Sequence, residues 1–94
     1  MREYEALFIF SEKVGDDKAT RLAEEVKRVI ESHKAEALQM ESIGKKPLSY
    51  PIKKMKEGYY FLYKFSAPPE AIPKIKDDLK HKEEIVRNLF TVRR

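Results

Sequence analysis

The sequence has no cysteine, no tryptophan and only three glycines among its 94 residues. A chain without cysteine forms no disulfide, holds no thiolate-bound metal and has no cysteine nucleophile. The glycines are far apart, at Gly15, Gly44 and Gly58, which argues against a glycine-rich loop for phosphate groups. No apolar run is longer than Ala6–Phe10, which is far too short to span a bilayer, and its polar surroundings argue against a signal peptide.

Catalytic residues in a recognisable arrangement are also missing. The histidines, His33 and His81, are far apart, each near the end of a predicted helix, and neither belongs to a zinc-binding pattern. The acidic residues alternate with lysines and arginines, which is typical of surface ion pairs rather than of a catalytic carboxylate pair. We therefore predict a protein that is not an enzyme and that has no cofactor, no metal and no small-molecule substrate.

Charge is abundant in the sequence. Lys and Arg number 20 against 16 Asp and Glu, so that the net charge is +4, and charged residues make up 38% of the chain. A basic balance suits a partner that carries phosphate groups, although it does not require one. Hydrophobic residues supply 41% of the chain, which is enough for one buried core at this length. These numbers predict a single cytoplasmic domain over residues 1–94.

The spacing of hydrophobic residues predicts four strands and two helices. The strands are expected at Tyr4–Phe10, Ala35–Lys46, Tyr59–Phe65 and Ile85–Val92. One helix is expected at about Asp17–His33, with Asp16 or Asp17 as its cap, and a second begins within Ser66–Glu70 and buries Ile72, Ile75 and Leu79. The polar segment Gly44–Gly58, with Pro47 and Pro51, is predicted to be a long connection or the end of a hairpin.

The resulting order, βαββαβ, predicts an α+β fold of the ferredoxin-like class. Each helix has a single apolar stripe, so both helices must cover the same face of a four-stranded antiparallel sheet. Right-handed crossovers then favour the split βαβ arrangement.

The alternation within the strands predicts apolar side chains on the face that is turned away from the helices. A sheet with one solvated face normally alternates apolar with polar residues, and this one does not. The residues predicted to point outward are Leu7, Ile9, Tyr60, Leu62, Phe90 and Val92. They are either ordinary exposed residues, covered by long Lys and Arg side chains, or a surface for RNA bases or a protein. The aliphatic share of the set favours a protein partner.

Two groups of basic residues are candidates for contact with phosphate groups. The first group lies on the central connection and consists of Lys45, Lys46, Lys53, Lys54 and Lys56. The second group belongs to the ends of the first and last strands and consists of Arg2, Arg87, Arg93 and Arg94. Because both strands belong to one sheet, we expect the arginines to converge and to hold phosphate together with the lysines. For any single lysine, the alternative is an ordinary solvated position.

The stretch from Gly44 to Lys54, GKKPLSYPIKK, resembles the signature of the bacterial small-subunit ribosomal protein number six family. The opening Met1–Glu5, Gly58-Tyr59-Tyr60 and Val86–Leu89 resemble it too, in order and over essentially the whole chain. The resemblance implies a ferredoxin-like fold and binding to the central domain of small-subunit ribosomal RNA, jointly with small-subunit protein number eighteen. It also implies RNA contacts by Arg2, Lys46, Lys54 and Arg87.

Two other functions use the same order of strands and helices. An acylphosphatase-like enzyme needs a phosphate-binding loop after the first strand, but Ser11–Gly15 contains a single glycine and an acid. A small-molecule-sensing or oligomerising module is the other alternative, and ligand-dependent dimerisation would identify it.

Overall fold

The computed structural model describes residues 1–52 and 55–93, and the elements within these ranges follow the predicted order except for an added 3-10 turn. Lys53, Lys54 and Arg94, all predicted to contact RNA, lie outside the described residues. The elements are β1 (Arg2–Ser11), the 3-10 turn Glu12–Val14, α1 (Gly15–Glu31), β2 (Glu36–Ile52), β3 (Met55–Ala67), α2 (Ala71–Leu79) and β4 (Ile85–Val92).

The four strands form one sheet in the order β2-β3-β1-β4, and every neighbouring pair is antiparallel. β1 lies inside the sheet between β3 and β4, while β2 and β4 form its edges. The predicted four-stranded antiparallel sheet with two helices is therefore confirmed.

The core lies between the helices and one face of this sheet. Alternate residues of β1 and β3 oppose one another in register, as in the pairs Phe8–Phe61 and Ala6–Tyr63. Their side chains are buried because the apolar stripes of both helices cover them. The buried helix residues are Ala19, Leu22, Ala23, Val26 and Ile30 in α1, and Ala71, Ile75 and Leu79 in α2. We call this side of the sheet the helix face and the opposite side the outer face.

The ends of α1 differ from the prediction. No side chain caps its first turn: the helix starts at Gly15, so Asp16 and Asp17 lie inside that turn instead of before it. Ser11 supplies the cap one element earlier, since its hydroxyl accepts a hydrogen bond from the backbone N–H of Lys13 and begins the 3-10 turn. The regular helix ends at Glu31, two residues before the expected His33.

The segment predicted as a long connection or the end of a hairpin is the end of a hairpin, and it is largely strand. β2 continues to Ile52 and β3 starts at Met55, so the hairpin extends past the end of β1, where Ser11 pairs with Gly58. Proline does not prevent this because β2 is an edge strand, where a missing backbone N–H costs no hydrogen bond on the open side. We call residues 46–57 the arm.

The outward orientation predicted for Phe90 and Val92 is wrong. Phe90 pairs with the buried Ala6 and Val92 with the buried Tyr4, so both belong to the helix face. The ring of Phe90 also lies edge-on to the ring of Phe8, with centroids 5.7 Å apart. The prediction chose the wrong phase for β4, because Leu89 and Phe90 are both apolar and the sequence does not show which of them opposes Ala6.

Candidate RNA and protein interface

A row of three leucines crosses the outer face. Leu62 on β3 pairs with Leu7 on β1, and Leu7 pairs with Leu89 on β4. Leu7 and Leu62 are partly buried, whereas Leu89 on the edge strand is 53% exposed. We call Leu62, Leu7 and Leu89 the leucine row. Leu89 was missed because β4 was predicted in the wrong phase. It is the most exposed member of the row because β4 is an edge strand.

The protein itself covers the neighbouring part of the outer face. Ile9 points outward as predicted, yet it is only 7% exposed and offers little area to a partner. Gly58 explains this, because a Cβ there would lie 2.6 Å from Ile9 Cγ2, so Ile9 occupies the space of the absent side chain. Tyr60 is half-buried beside Ile9, and its hydroxyl donates to the backbone carbonyl of Pro47 at 3.2 Å.

Three exposed cations lie on the outer face near the arm. Arg87 pairs with Ile9 at the edge formed by β4, and Lys46 pairs with Gly58 at the edge formed by β2. The alternation of β3 places Lys56 on the same side as Gly58. Arg87 and Lys46 are separated by three strand spacings across the sheet and by two residues along it, or about 16 Å. We call Arg87, Lys46 and Lys56 the basic end.

The structure does not bring Arg2 and Arg93 to this place. Arg2 pairs with Ala67 at the far end of β3, and the backbone N–H of Arg93 donates to the carbonyl of Glu3. Six residues of β1 separate that carbonyl from Ile9, which corresponds to roughly 20 Å. The Arg93 side chain is also engaged, since its Nε lies 3.2 Å from Glu5 Oε1. The expected convergence is therefore wrong for Arg87, whereas Arg2 and Arg93 do lie at one end of the sheet. Arg87 lies near the start of β4 and Arg93 follows its end, and the length of the strand separates them.

Lys45 occupies the other side of the sheet from its neighbour in sequence. It pairs with Tyr59, whose buried ring belongs to the helix face, and its Nζ lies 5.9 Å from the centre of that ring. Burial raises the pKa of Tyr59 and nearby Asp16 raises it further, whereas Lys45 acts in the opposite direction. Lys45 and Lys46 consequently cannot reach one flat surface together.

Acidic residues surround the other end of the outer face. Glu41 pairs with Leu62 beside the leucine row, and Glu5 follows in the next pair along β1. Glu3 and Glu36 both pair with Ser66 one step further. Two cations, Lys64 and Arg93, lie among these four acids, so this part of the outer face is negative. We call Glu3, Glu5, Glu36 and Glu41 the acidic end. Single-residue patterns did not predict it, because the acids come from two strands far apart in sequence.

Features of other protein classes are not found in the part of the chain that the structure describes. Residues 1–52 and 55–93 include no helix that is long and apolar enough to cross a membrane. Within the same ranges, no three His, Asp or Glu side chains are grouped so that they could hold a metal ion.

Comparison with known proteins identifies the family. The sequence model described as ribosomal protein S6 matches residues 3–92. The chain belongs to the ribosomal protein S6 family. It is 38% identical over 90 residues to small ribosomal subunit protein bS6 of Desulforamulus reducens, with 96% of this chain and 95% of that protein aligned. It is 34% identical over 91 residues to the bS6 protein of Thermosynechococcus vestitus, with 97% of this chain and 80% of that protein aligned.

The fold of the ribosomal protein S6 family is preserved in this chain. The crystal structure of 30S ribosomal protein S6 from Thermotoga maritima superposes with a TM-score of 0.92 at 29% identity, covering 98% of this chain and 87% of that one. Proteins of this family are structural, non-enzymatic components of the small ribosomal subunit in the cytoplasmic ribosome. The family that the sequence resembles and the prediction of a non-enzyme are thereby confirmed.

Proposed function

We propose that this protein binds the central domain of small-subunit ribosomal RNA together with small-subunit ribosomal protein number eighteen. It acts as a single domain over residues 1–94, with the interleaved βαβ units of the ferredoxin-like class. RNA contacts the basic end and the arm, and the protein partner contacts the rest of the outer face. No bond is made or broken, so the function is one of assembly.

The grouping of Arg87, Lys46 and Lys56 on one face carries the RNA part of this proposal. These cations are exposed, and they come from three strands. Lys binds a phosphate group as a point charge and Arg binds it through its fork-shaped guanidinium. The separation of about 16 Å between Arg87 and Lys46 suits several phosphates of one folded strand. Lys53 and Lys54, which follow β2 in the sequence, belong to the same proposed surface.

Arg2, Arg93 and Arg94 have a smaller part in the proposal. Arg2 and Arg93 lie at the opposite end of the sheet from Arg87, and Glu5 already holds Arg93. Lys45 lies on the helix face and reaches RNA only if the RNA wraps around the edge formed by β2. Arg87 and Lys46 are therefore the residues that we expect to matter most.

The leucine row supports the protein part of the proposal. The row is contiguous across three strands and reaches solvent at Leu89, and contiguous apolar surface on a small protein often marks a contact surface. Leucine also stacks poorly on bases compared with the aromatic residues that RNA-binding sheets use, which favours a protein there.

RNA binding is tested with a transcript of the central domain in filter-binding assays from 50 to 300 mM salt. Removing one of several phosphate contacts lowers the log–log salt slope by about 0.7 to 0.9. We expect Arg87→Gln and Lys46→Gln each to produce that change and to weaken binding about fivefold at 100 mM salt. Lys74→Gln, which removes an exposed cation from α2, is the matched control and should leave both quantities unchanged. Equal effects of all three changes would reject a localised RNA site.

A further inference from the structure

β2 contains one residue more than β3 between two successive pairs, just before the arm begins. Ser42 lies opposite Phe61, but the next pair joins Gly44 to Tyr60. Ile43 is therefore the extra residue of a β-bulge, and its side chain is 38% exposed. Gly44 follows with a φ of +100°, which glycine adopts readily and other residues rarely do. We call Ile43 and Gly44 the bulge.

The bulge changes which residues of β2 point outward. Side chains alternate along a strand, and an extra residue reverses the alternation beyond it. Before the bulge, the odd-numbered residues lie on the outer face, as Glu41 does opposite Leu62. Beyond the bulge, the even-numbered residues lie there, as Lys46 does opposite Gly58. Without the extra residue, Lys45 would take the place opposite Gly58, and Lys46 would turn to the helix face.

A lysine on the helix face meets acidic side chains at this level of the sheet. The Nζ of Lys45 lies 5.9 Å from the centre of the Tyr59 ring. Burial raises the pKa of Tyr59, and the charges of Asp16 and Glu12 raise it further, so both carboxylates act at this place. They repel a phosphate backbone and offset the charge of Lys45. Lys46, by contrast, belongs to the basic end, whose three cations attract RNA.

Contacts on both sides of the bulge hold this register. Before the bulge, Met40 lies opposite the buried Tyr63 and packs against the core, which fixes the phase of that part of β2. Beyond the bulge, the hydroxyl of Tyr60, which lies opposite Gly44, donates to the backbone carbonyl of Pro47 at 3.2 Å. This hydrogen bond therefore fastens the arm in the register that follows the bulge.

We infer that the bulge positions the arm for RNA: it selects Lys46 over Lys45 as the lysine that contacts phosphate, and the Tyr60 hydroxyl holds that register. This inference rests on the proposed function, in which RNA contacts the basic end. It adds a cause for the choice between two adjacent lysines. It also names Ile43, Gly44 and Tyr60 as positioning residues that act on RNA through Lys46.

Deletion of Ile43 tests this inference directly, because it removes the extra residue and leaves every charge in place. Filter binding to the central-domain transcript compares Lys45→Gln and Lys46→Gln in the deletion protein and in the unmodified one. In the unmodified protein, Lys46→Gln should weaken binding about fivefold and Lys45→Gln less than about twofold. In the deletion protein, these two effects should exchange. A bulge that only stabilised the fold would not exchange them.

Nuclear Overhauser effects across the strands give a second readout that needs no RNA. In the unmodified protein, Gly58 should show cross-strand contacts with Lys46, which lies opposite it. In the protein without Ile43, Gly58 should show these contacts with Lys45 instead. If Lys46 remains opposite Gly58 after the deletion, the bulge does not set the phase of the arm and the inference is overturned.

Tyr60→Phe is a second variant, and it does not depend on the folding of the deletion protein. It removes one hydroxyl at a half-buried position and keeps the ring. Tyr60→Phe should weaken RNA binding about threefold, because the arm loses its hydrogen bond at Pro47. With Lys46→Gln already present, the further loss should be less than about 1.5-fold, since the hydroxyl acts through Lys46. With Lys45→Gln present, which is the matched control, the threefold loss should persist.

The contrary results separate this inference from the proposed function. If Lys46→Gln weakens binding with and without Ile43, while Lys45→Gln does so in neither protein, the inference is overturned and the proposed function stands. Equal losses from Tyr60→Phe with and without Lys46→Gln overturn it as well, and this comparison decides alone if the deletion protein does not fold. If neither Lys46→Gln nor Arg87→Gln weakens RNA binding by the unmodified protein, the RNA part of the proposed function falls and the inference falls with it.

Discussion

The hydroxyl of Tyr63 in β3 donates a hydrogen bond to the backbone carbonyl of Ala23 in α1, at 2.7 Å. Tyr63 is fully buried, and its ring lies edge-on to that of Phe8 with centroids 5.4 Å apart. Burial raises the pKa of the Tyr63 hydroxyl far above its usual value, and the charge of nearby Glu24 raises it further. The contact therefore joins the sheet to α1, and it makes the free energy of unfolding depend on pH in the alkaline range.

Tyr63→Phe removes this hydrogen bond while keeping the ring. At pH 7 we expect a loss of about 1 kcal/mol in the free energy of unfolding, because the buried hydrogen bond disappears. Chemical denaturation at constant temperature measures the difference. A variant as stable as the unmodified protein at pH 7 would show that the hydrogen bond contributes nothing.

The same variant should lose its disadvantage at high pH. The raised pKa keeps Tyr63 protonated in the folded state, so its contribution is complete below the unfolded pKa of 10.0 and declines above it. The decline is about 1.4 kcal/mol per pH unit, because the unfolded chain releases a proton that the folded protein retains. Near pH 11, the two proteins should be almost equally stable. A difference that stays constant from pH 8 to pH 11 contradicts this coupling.

Ala37 adopts a positive φ of 53° at the irregular start of β2. This left-handed conformation costs a residue with a Cβ about 1 to 2 kcal/mol, whereas glycine adopts it readily. Ala37→Gly should therefore stabilise the protein by about 0.5 to 1 kcal/mol, even though glycine also gains freedom in the unfolded chain. Ala35→Gly, two residues earlier at a position without positive φ, is the control and should destabilise. Thermal and chemical unfolding of both variants compare the two effects directly.

How well the sequence predicts which face of the sheet a residue lies on depends on how its apolar residues are spaced in each strand. The helix face of β1 and β3 was predicted correctly because aromatic residues recur at every second position, as Phe8 and Phe10 do in β1 and Phe61, Tyr63 and Phe65 do in β3. The phase of β4 was predicted wrongly, because Leu89 and Phe90 are adjacent apolar residues. Only the pairing of Leu89 with Leu7 and of Phe90 with Ala6 shows which of the two faces the helices.

The candidate site was predictable in composition but not in arrangement. The lysines around Pro47 and the outward positions of Leu7 and Leu62 follow from the sequence. The separation of Arg87 from Arg93 does not, because a short interval in sequence becomes roughly 20 Å along an extended strand. The acidic end was missed for a similar reason, since only the order of strands in the sheet brings Glu5 of β1 and Glu41 of β2 to the same end of the outer face, on either side of β3.

Gly58 lies at the base of the arm, where β1 passes close to it. A Cβ at this position would lie 2.6 Å from Ile9 Cγ2 and 3.0 Å from the backbone oxygen of Phe10. Gly58→Ala should therefore cost about 1 to 3 kcal/mol of stability, because the side chain of Ile9 and the backbone of β1 must both shift. Gly58→Ala combined with Ile9→Ala removes the closer of the two contacts, so it should lose less stability relative to Ile9→Ala than Gly58→Ala loses in the unmodified protein. Equal losses in the two backgrounds would show that Ile9 is not the obstacle.

Glu5 and Arg93 provide a test of which end of the sheet meets RNA. Their ion pair at 3.2 Å lies at the acidic end, where Glu5 is roughly 13 Å and Arg93 roughly 20 Å along the strands from the level of Arg87. Charges so far apart at the surface interact weakly in 0.15 M salt, where the screening length is about 8 Å.

If RNA binds at the basic end, Glu5→Gln and Arg93→Gln should each change RNA affinity by less than about twofold. If RNA instead reaches the acidic end, removing Glu5 would release Arg93 for a phosphate and strengthen binding several-fold, and the added Arg93→Gln change would abolish that gain. Filter binding of the two single variants and the double variant, beside Arg87→Gln, distinguishes these outcomes. Because Glu5→Gln alters the acidic end without touching the basic end, a strong gain in affinity would contradict the division of the outer face between RNA and protein.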